Sequence, residues 1–90
     1  MGSDPKIRRI LCQRLLQLRH ENNLTQAELS SLSAIPQPVL SLYENQGSSR
    51  SPTLYALGRL ANSLNVSTDY LLGRTDDKSG ARNLISEDSV

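Results

Sequence analysis

Ninety residues with a formal charge of +1 allow one small domain with a modest core. No apolar run reaches the length of a membrane span, nothing resembles the apolar region of a signal peptide, and a lone cysteine, Cys12, excludes an internal disulfide and a multi-cysteine zinc site. With no Phe and no Trp, the chain also lacks the stacking platform on which single strands are held, and it is expected in the cytosol.

The first helix is predicted to begin near Asp4-Pro5, with Ser3 or Asp4 as cap and Pro5 in the first turn, and to stop at Asn22 or Asn23. Met1-Gly2-Ser3 reads as vector-derived and stays outside the fold argument. Ile7, Leu11, Leu15 and Leu18 make its apolar stripe, while Arg8, Arg9 and Arg14 read as a solvated face. Arg19 lies on the flank of the stripe and therefore needs a carboxylate partner, because burying an unpaired charge is costly. Cys12 reads as a small packing residue. His20, near the end of the helix and without a second metal-ligating neighbour, reads as a mildly favourable cation at a helix C-terminus.

Helix two is predicted over Gln26 to Ser33, with Thr25 as cap and Glu28 completing a Thr-x-x-Glu capping box. Leu24, Leu29, Leu32, Ile35 and Leu40 supply the apolar contacts of a helix pair. Helix three runs from Gln37 or Pro38 to Asn45. Proline disfavours the α conformation in the residue before it, so Gln37 is expected as the cap and Pro38 as the first helical residue. A loop follows at 46–51, and Ser51-Pro52 is expected to start helix four, whose stripe is Leu54, Leu57, Leu60, Ala61 and Leu64. Ser67 is predicted to cap a fifth helix carrying Tyr70, Leu71 and Leu72, with Gly73 as its stop. The expected organisation is an all-α, five-helix domain over residues 1–73 and a flexible polar tail over 74–90, where Leu84-Ile85 is the one apolar pair suited to docking in a dimer.

Charge divides along the same line. Residues 1–73 hold seven basic and five acidic side chains, and residues 74–90 hold three and four. An excess of two positive charges permits DNA binding without arguing for it. No nucleophile–base pair, Gly-rich phosphate loop or metal-ligand cluster occurs, which points away from an enzyme and from any cofactor.

Taken in order, Leu15-x-x-Leu-Arg19, Leu24-Thr-Gln-Ala-Glu-Leu29, Tyr43-Glu-Asn45, Ser51-Pro52 and Leu60-Ala-x-x-Leu-x-Val66-Ser-x-Asp-Tyr-Leu-Leu-Gly73 resemble the Cro-like, XRE-type helix-turn-helix family of phage repressors and bacterial regulators. The resemblance covers residues 11 to 73 in one register. It implies a five-helix repressor-like bundle that binds double-stranded DNA as a homodimer on a palindromic operator, without cofactor or small-molecule ligand, and a repressor rather than an activator. It pairs Arg19 with Glu44 as a structural ion pair. It places Gln37, Ser41 and Leu42 against bases, and Thr25, Gln26, Asn45 and Arg50 against phosphates. It assigns the dimer contact to Asn65, Val66, Thr68 and Tyr70.

The sequence departs from the family pattern at four positions. Ala34 stands where the turn usually has glycine, Pro36 replaces the Ser or Thr cap of helix three, Pro38 sits at a base-reading position, and Leu42 replaces a polar or basic residue. The loop between Glu44 and Pro52 is also a residue or two longer than usual. These departures leave a rival reading, in which the fold is kept and the Val39–Leu42 surface binds a partner protein, as in an antitoxin or regulatory subunit.

Overall fold

Asparagine, alanine and glycine in the left-handed region, together with hydroxyl caps, divide the chain into helices. A computed structural model describes residues 5–79 and contains α1 (Pro5–Glu21), α2 (Gln26–Ser33), α3 (Gln37–Tyr43), α4 (Leu54–Leu64) and α5 (Thr68–Leu71). No strand occurs among the described residues. The expected Ser3 or Asp4 cap, the tail beyond residue 79 and the Leu84-Ile85 pair lie outside them.

Each hydroxyl cap takes a free amide of the first helical turn. Thr25 accepts from the Glu28 N–H while Glu28 accepts from the Thr25 N–H at 2.8 Å, completing the capping box. Ser67 accepts from the Tyr70 N–H at 2.9 Å, as expected for the cap of α5. Helix α4 begins later than Ser51-Pro52 suggests. Its cap is Thr53, whose hydroxyl accepts from the Ala56 N–H, so the serine–proline pair belongs to the loop. At the other ends, Asn23 and Asn65 adopt positive φ, where an asparagine side chain is tolerated. Gly73 is required twice over: its φ is +79°, and a Cβ there would stand 2.8 Å from Cγ2 of Ile10.

The core joins Leu11, Leu15 and Leu18 of α1 to Leu29 of α2, Leu40 and Tyr43 of α3, Ala56, Leu60, Ala61 and Leu64 of α4, and Leu71 of α5. Leu15, Leu29, Leu40, Leu60 and Leu71 are completely buried, each contributing about 1.5–3 kcal/mol of apolar burial. Three leucine or isoleucine positions of the predicted stripes fall outside it. Leu54 is 82 % exposed and Leu32 60 % exposed, and Ile7 sits at the surface. Leu54 is the first residue of α4 and extends past the body that the later turns pack against. Leu32 lies three residues after the buried Leu29 but on the open flank of α2.

The chain does not come loose at residue 74. Arg14 of α1 donates to the carbonyls of Tyr70 and Thr75 at 2.6 and 2.8 Å, pairs with Asp76 at 2.8 Å, and lies over the Tyr70 ring at 4.1 Å. The Ser67 N–H donates to the Lys78 carbonyl at 2.7 Å, and Lys78 pairs with Glu21 at 3.0 Å. Residues 74–79 thus form a strap across α1 and the start of α5, and Arg14 is its anchor rather than part of a solvated face.

Candidate nucleic-acid interface

The α2–α3 pair is closed by a short turn whose geometry depends on three residues. Ala34 takes φ 59° and ψ 30°, the left-handed conformation usually left to glycine, at a cost of about 1–2 kcal/mol. Ile35 is buried in the core, and the Ser30 hydroxyl donates to its carbonyl. Pro36, in extended geometry with φ −55° and ψ 138°, is the cap position of α3.

Helix α3 therefore starts one residue earlier than predicted: Gln37 is its first residue and Pro38 its second. Pro38 costs no hydrogen bond at this position, because the first helical amides lack intrahelical partners anyway. The Pro36 carbonyl accepts from both the Val39 and Leu40 N–H groups at 3.0 Å. With two prolines in place, Gln37 offers the one unbonded backbone N–H at the start of the helix.

Leu40 and Tyr43 point inward, with Val39 packed partly against the core. That orientation leaves Gln37, Pro38, Ser41 and Leu42 exposed along one side, with Thr25 exposed at the start of α2 and Asn45 and Arg50 exposed beyond the end of α3. The Thr25 oxygen is already accepting within the capping box, so only its O–H remains for an outside acceptor. Asn45 uses its side-chain oxygen to accept from the Gly47 N–H at 2.8 Å, which turns the loop and leaves its NH₂ outward. The Arg50 guanidinium is exposed while its backbone N–H donates to the Ser48 hydroxyl.

A buried polar network holds this surface from below. Arg19 grips Glu44 with two bonds, Nε to Oε2 at 2.9 Å and Nη2 to Oε1 at 3.1 Å, and donates from Nη1 to the Leu24 carbonyl at 2.9 Å. The pairing expected of these two residues is present, and the Glu44 side chain is only 3 % exposed. Gln26 joins it, donating from Nε2 to Oε1 of Glu44 at 3.0 Å. Its amide is thereby fixed across the start of α2 and the end of α3.

Arg8 is a further residue that the sequence reading missed. Read as solvated, it is 8 % exposed, donating from Nε to the Arg50 carbonyl at 2.7 Å and from Nη2 to the carbonyls of Leu42 and Asn45 at 2.8 and 3.3 Å. A cation at the end of α3 is favourable against the helix dipole. It also ties the loop carrying Asn45 and Arg50 to α1. One signal pointed to this: Arg8 precedes Leu11, Cys12 and Leu15 by three, four and seven residues, the spacing of a single buried face.

The expected dimer residues do not form one surface. Val66 is 1 % and Tyr70 8 % exposed, both inside the chain's own core, because the αL turn at Asn65 directs Val66 back under α4. Thr68 is half-buried, and Asn65 is exposed. Leu54 and Tyr55 at the start of α4 are instead the most exposed of the large apolar groups, ahead of Leu32, Ile7 and Leu42.

A helix-turn-helix family model matches residues 15–71, the span that runs from the core of α1 through the α2–α3 pair to the end of α5. The chain belongs to the XRE-type helix-turn-helix family. An uncharacterized HTH-type transcriptional regulator, YobD of Bacillus subtilis (strain 168), is 42 % identical over 66 residues. That match covers 73 % of this chain and 57 % of the relative, so the chain spans little more than half of the relative's length. No solved structure matches. Within this helix-turn-helix unit, α3 carries proline at its cap and at its second position, and the helix pair is locked by Arg19, Glu44 and Gln26.

Proposed function

We propose that this helix-turn-helix protein is a transcriptional regulator that binds double-stranded DNA in a sequence-dependent manner. The observation that carries the reading is the exposed side of α3, Gln37 to Leu42, held rigidly between two flanking groups of donors. On one flank stand Thr25 and Gln26 at the start of α2, and on the other stand Asn45 and Arg50 beyond α3. Gln37, as first residue of α3, is placed to bond adenine through N6 and N7, with Ser41 one turn further along and Leu42 against a thymine methyl. The flanking groups take phosphates and set register rather than sequence. The finer reading is a cytoplasmic repressor acting as a homodimer on a palindromic operator, with half-sites about 34 Å apart. Exposed Leu54 and Tyr55 join Asn65 and Thr68 as the accessible groups for the contact between copies.

The test is binding of fluorescent duplexes from the DNA upstream of the chain's own coding region, at two salt concentrations. Specific binding survives added salt better than non-specific binding, and Gln37→Ala removes the preference for the specific duplex while leaving non-specific affinity in place. A second reading is favoured by the apolar character of the same side, where Pro36, Pro38 and Leu42 are exposed. A partner protein would dock there, and the second reading stands if no duplex binds, or if Gln37→Ala and Arg50→Ala leave DNA affinity untouched.

A further inference from the structure

Residues 44–53 join α3 to α4, and the bonds described within that loop are short-range. The Gly47 N–H donates to the Asn45 side-chain oxygen at 2.8 Å, the Ser48 N–H to the Asn45 carbonyl at 3.0 Å, and the Arg50 N–H to the Ser48 hydroxyl at 3.0 Å. Each of these shapes a turn, and none of them joins one end of the loop to the other. Arg8 makes that join from α1. Its Nη2 donates to the carbonyls of Leu42 and Asn45, where α3 ends, and its Nε to the carbonyl of Arg50, five residues further on.

The effect falls on two exposed donors. Both peptide groups that flank the Arg50 Cα are fixed, the N–H by the Ser48 hydroxyl and the carbonyl by Arg8 at 2.7 Å. The direction in which the Arg50 side chain leaves the backbone is therefore set. Asn45 is held in the same way: its carbonyl accepts from Ser48 and from Arg8, and its side-chain oxygen accepts from Gly47. Arg8 itself has nothing left to offer a ligand. Nε and Nη2 are engaged, Nη1 is shut off from solvent, and the residue is 8 % exposed.

We infer that Arg8 is a positioning residue of the nucleic-acid interface, acting on bound DNA only by aiming Arg50 and Asn45 from beneath. The inference rests on the function proposed above. A loop ordered before contact loses less conformational entropy on binding, so the clamp raises affinity. Phosphate contacts carry no sequence information, so it raises affinity for specific and non-specific duplexes alike. The planar guanidinium suits the task, because it presents donors on separate nitrogens to three carbonyls. A lysine ammonium keeps the charge but gathers its donors on one nitrogen. Arg8→Lys therefore separates geometry from charge.

The test uses the full chain, Arg8→Lys, Arg50→Ala and their combination, at a temperature where circular dichroism shows all four folded. Without DNA, hydrogen exchange at the Ser48 and Arg50 amides is expected to quicken about fivefold or more in Arg8→Lys, while the Leu29 amide in α2 keeps its rate. With DNA, duplex affinity is measured across salt concentrations. Arg8→Lys is expected to bind about tenfold more weakly, to specific and non-specific duplexes alike. Its slope of log affinity on log salt is expected to fall by about one although no charge was removed, because Arg50 has left its phosphate. In the Arg50→Ala background the same change is expected to weaken binding by about twofold or less and to leave the slope alone. A residue that merely stabilises the fold would lower the thermal midpoint without moving the slope. If Arg8→Lys does not fold, Arg8→Met, which keeps the apolar stem without a charge, replaces it, and its loss of affinity must likewise vanish in Arg50→Ala. Unchanged loop exchange, wild-type affinity in the Arg8 variant, or an equal loss with and without Arg50 overturns the inference and leaves DNA binding standing. A wild type that binds no duplex overturns both.

Discussion

Replacing Glu44 with alanine tests whether the α2–α3 pair is held by a buried network or by apolar packing alone. The carboxylate receives two bonds from Arg19 and one from Gln26, and its side chain is 3 % exposed against 13 % for Arg19. Glu44→Ala leaves Arg19 with only the Leu24 carbonyl and leaves the Gln26 amide unpaired. Removing one member of such a pair costs about 3–5 kcal/mol. Seventy-five described residues carry a total stability of roughly 4–11 kcal/mol at 0.05–0.15 kcal/mol per residue, so about half is at stake. In a domain of this size, a loss of 3 kcal/mol lowers Tm by about 12–24 °C. Urea unfolding followed by far-UV circular dichroism measures the loss, and the single variants Arg19→Met and Glu44→Leu form a cycle with their double variant. That variant is expected to be more stable than Glu44→Ala, because no charge remains stranded. A loss below about 1 kcal/mol, the value of an exposed pair, or a cycle in which the two costs simply add, would refute the argument.

Three further outcomes are expected. Ala34→Gly removes a left-handed alanine, and after allowing for the greater freedom of an unfolded glycine it raises stability by about 0.5–1 kcal/mol, read as a higher urea midpoint at constant slope. Thr53→Ala costs about 1 kcal/mol as loss of the α4 cap, whereas Ser51→Ala changes stability by less than about 0.5 kcal/mol; equal losses would return the helix start to Ser51-Pro52. The strap is held by ionised groups: the Lys78 ammonium, followed by the Gln17 amide, keeps the Glu21 carboxyl below its usual range, and Glu21 in turn keeps Lys78 above its own. The Glu21 contribution is present above its unfolded pKa and is lost as pH falls through the lower folded one, while that of Lys78 is present below its unfolded pKa and is lost as pH rises through the higher folded one. The Ser67 amide, which donates to the Lys78 carbonyl, is expected to hold its chemical shift near neutral pH and to move at both extremes, with Glu21→Gln abolishing the acid transition.

Where a feature depends on one residue type acting on its near neighbours, it could be read from the chain. The Thr25–Glu28 box, the Ser67 cap and the stop at Gly73 are of this kind, and so are α1 and α2, whose ends fall within a residue or two of the predicted ones. The Arg19–Glu44 pair was legible because a flanking arginine demands a carboxylate, and the family pattern names which one. Gln26 on the same carboxylate was not, since a glutamine in a first turn serves equally well in water. Arg8 and Arg14 escaped for a different reason: most of their partners are backbone carbonyls, which every residue carries and no residue type marks. Leu54 and Leu32 show that spacing finds a helical face but not where the packed body ends along it. Val66 and Tyr70 were assigned outward by resemblance, whereas the reversal of the chain at Asn65 turns them inward.

The prolines at the start of α3 also change what docking would demand of it. Pro36 and Pro38 fix two of the first φ angles on either side of Gln37, and the Pro36 carbonyl already holds two amides of the first turn. A segment ordered before contact loses little conformational entropy when it meets a surface. Because proline carries no amide, however, this helix start attracts anions less than an ordinary one, and Gln37 alone has a free backbone N–H to offer there. The arrangement exchanges general attraction for rigidity. On the function proposed above, electrostatic capture falls to Arg50 and the loop beyond α3, and the start of α3 is left to discriminate by the bonds that Gln37 makes.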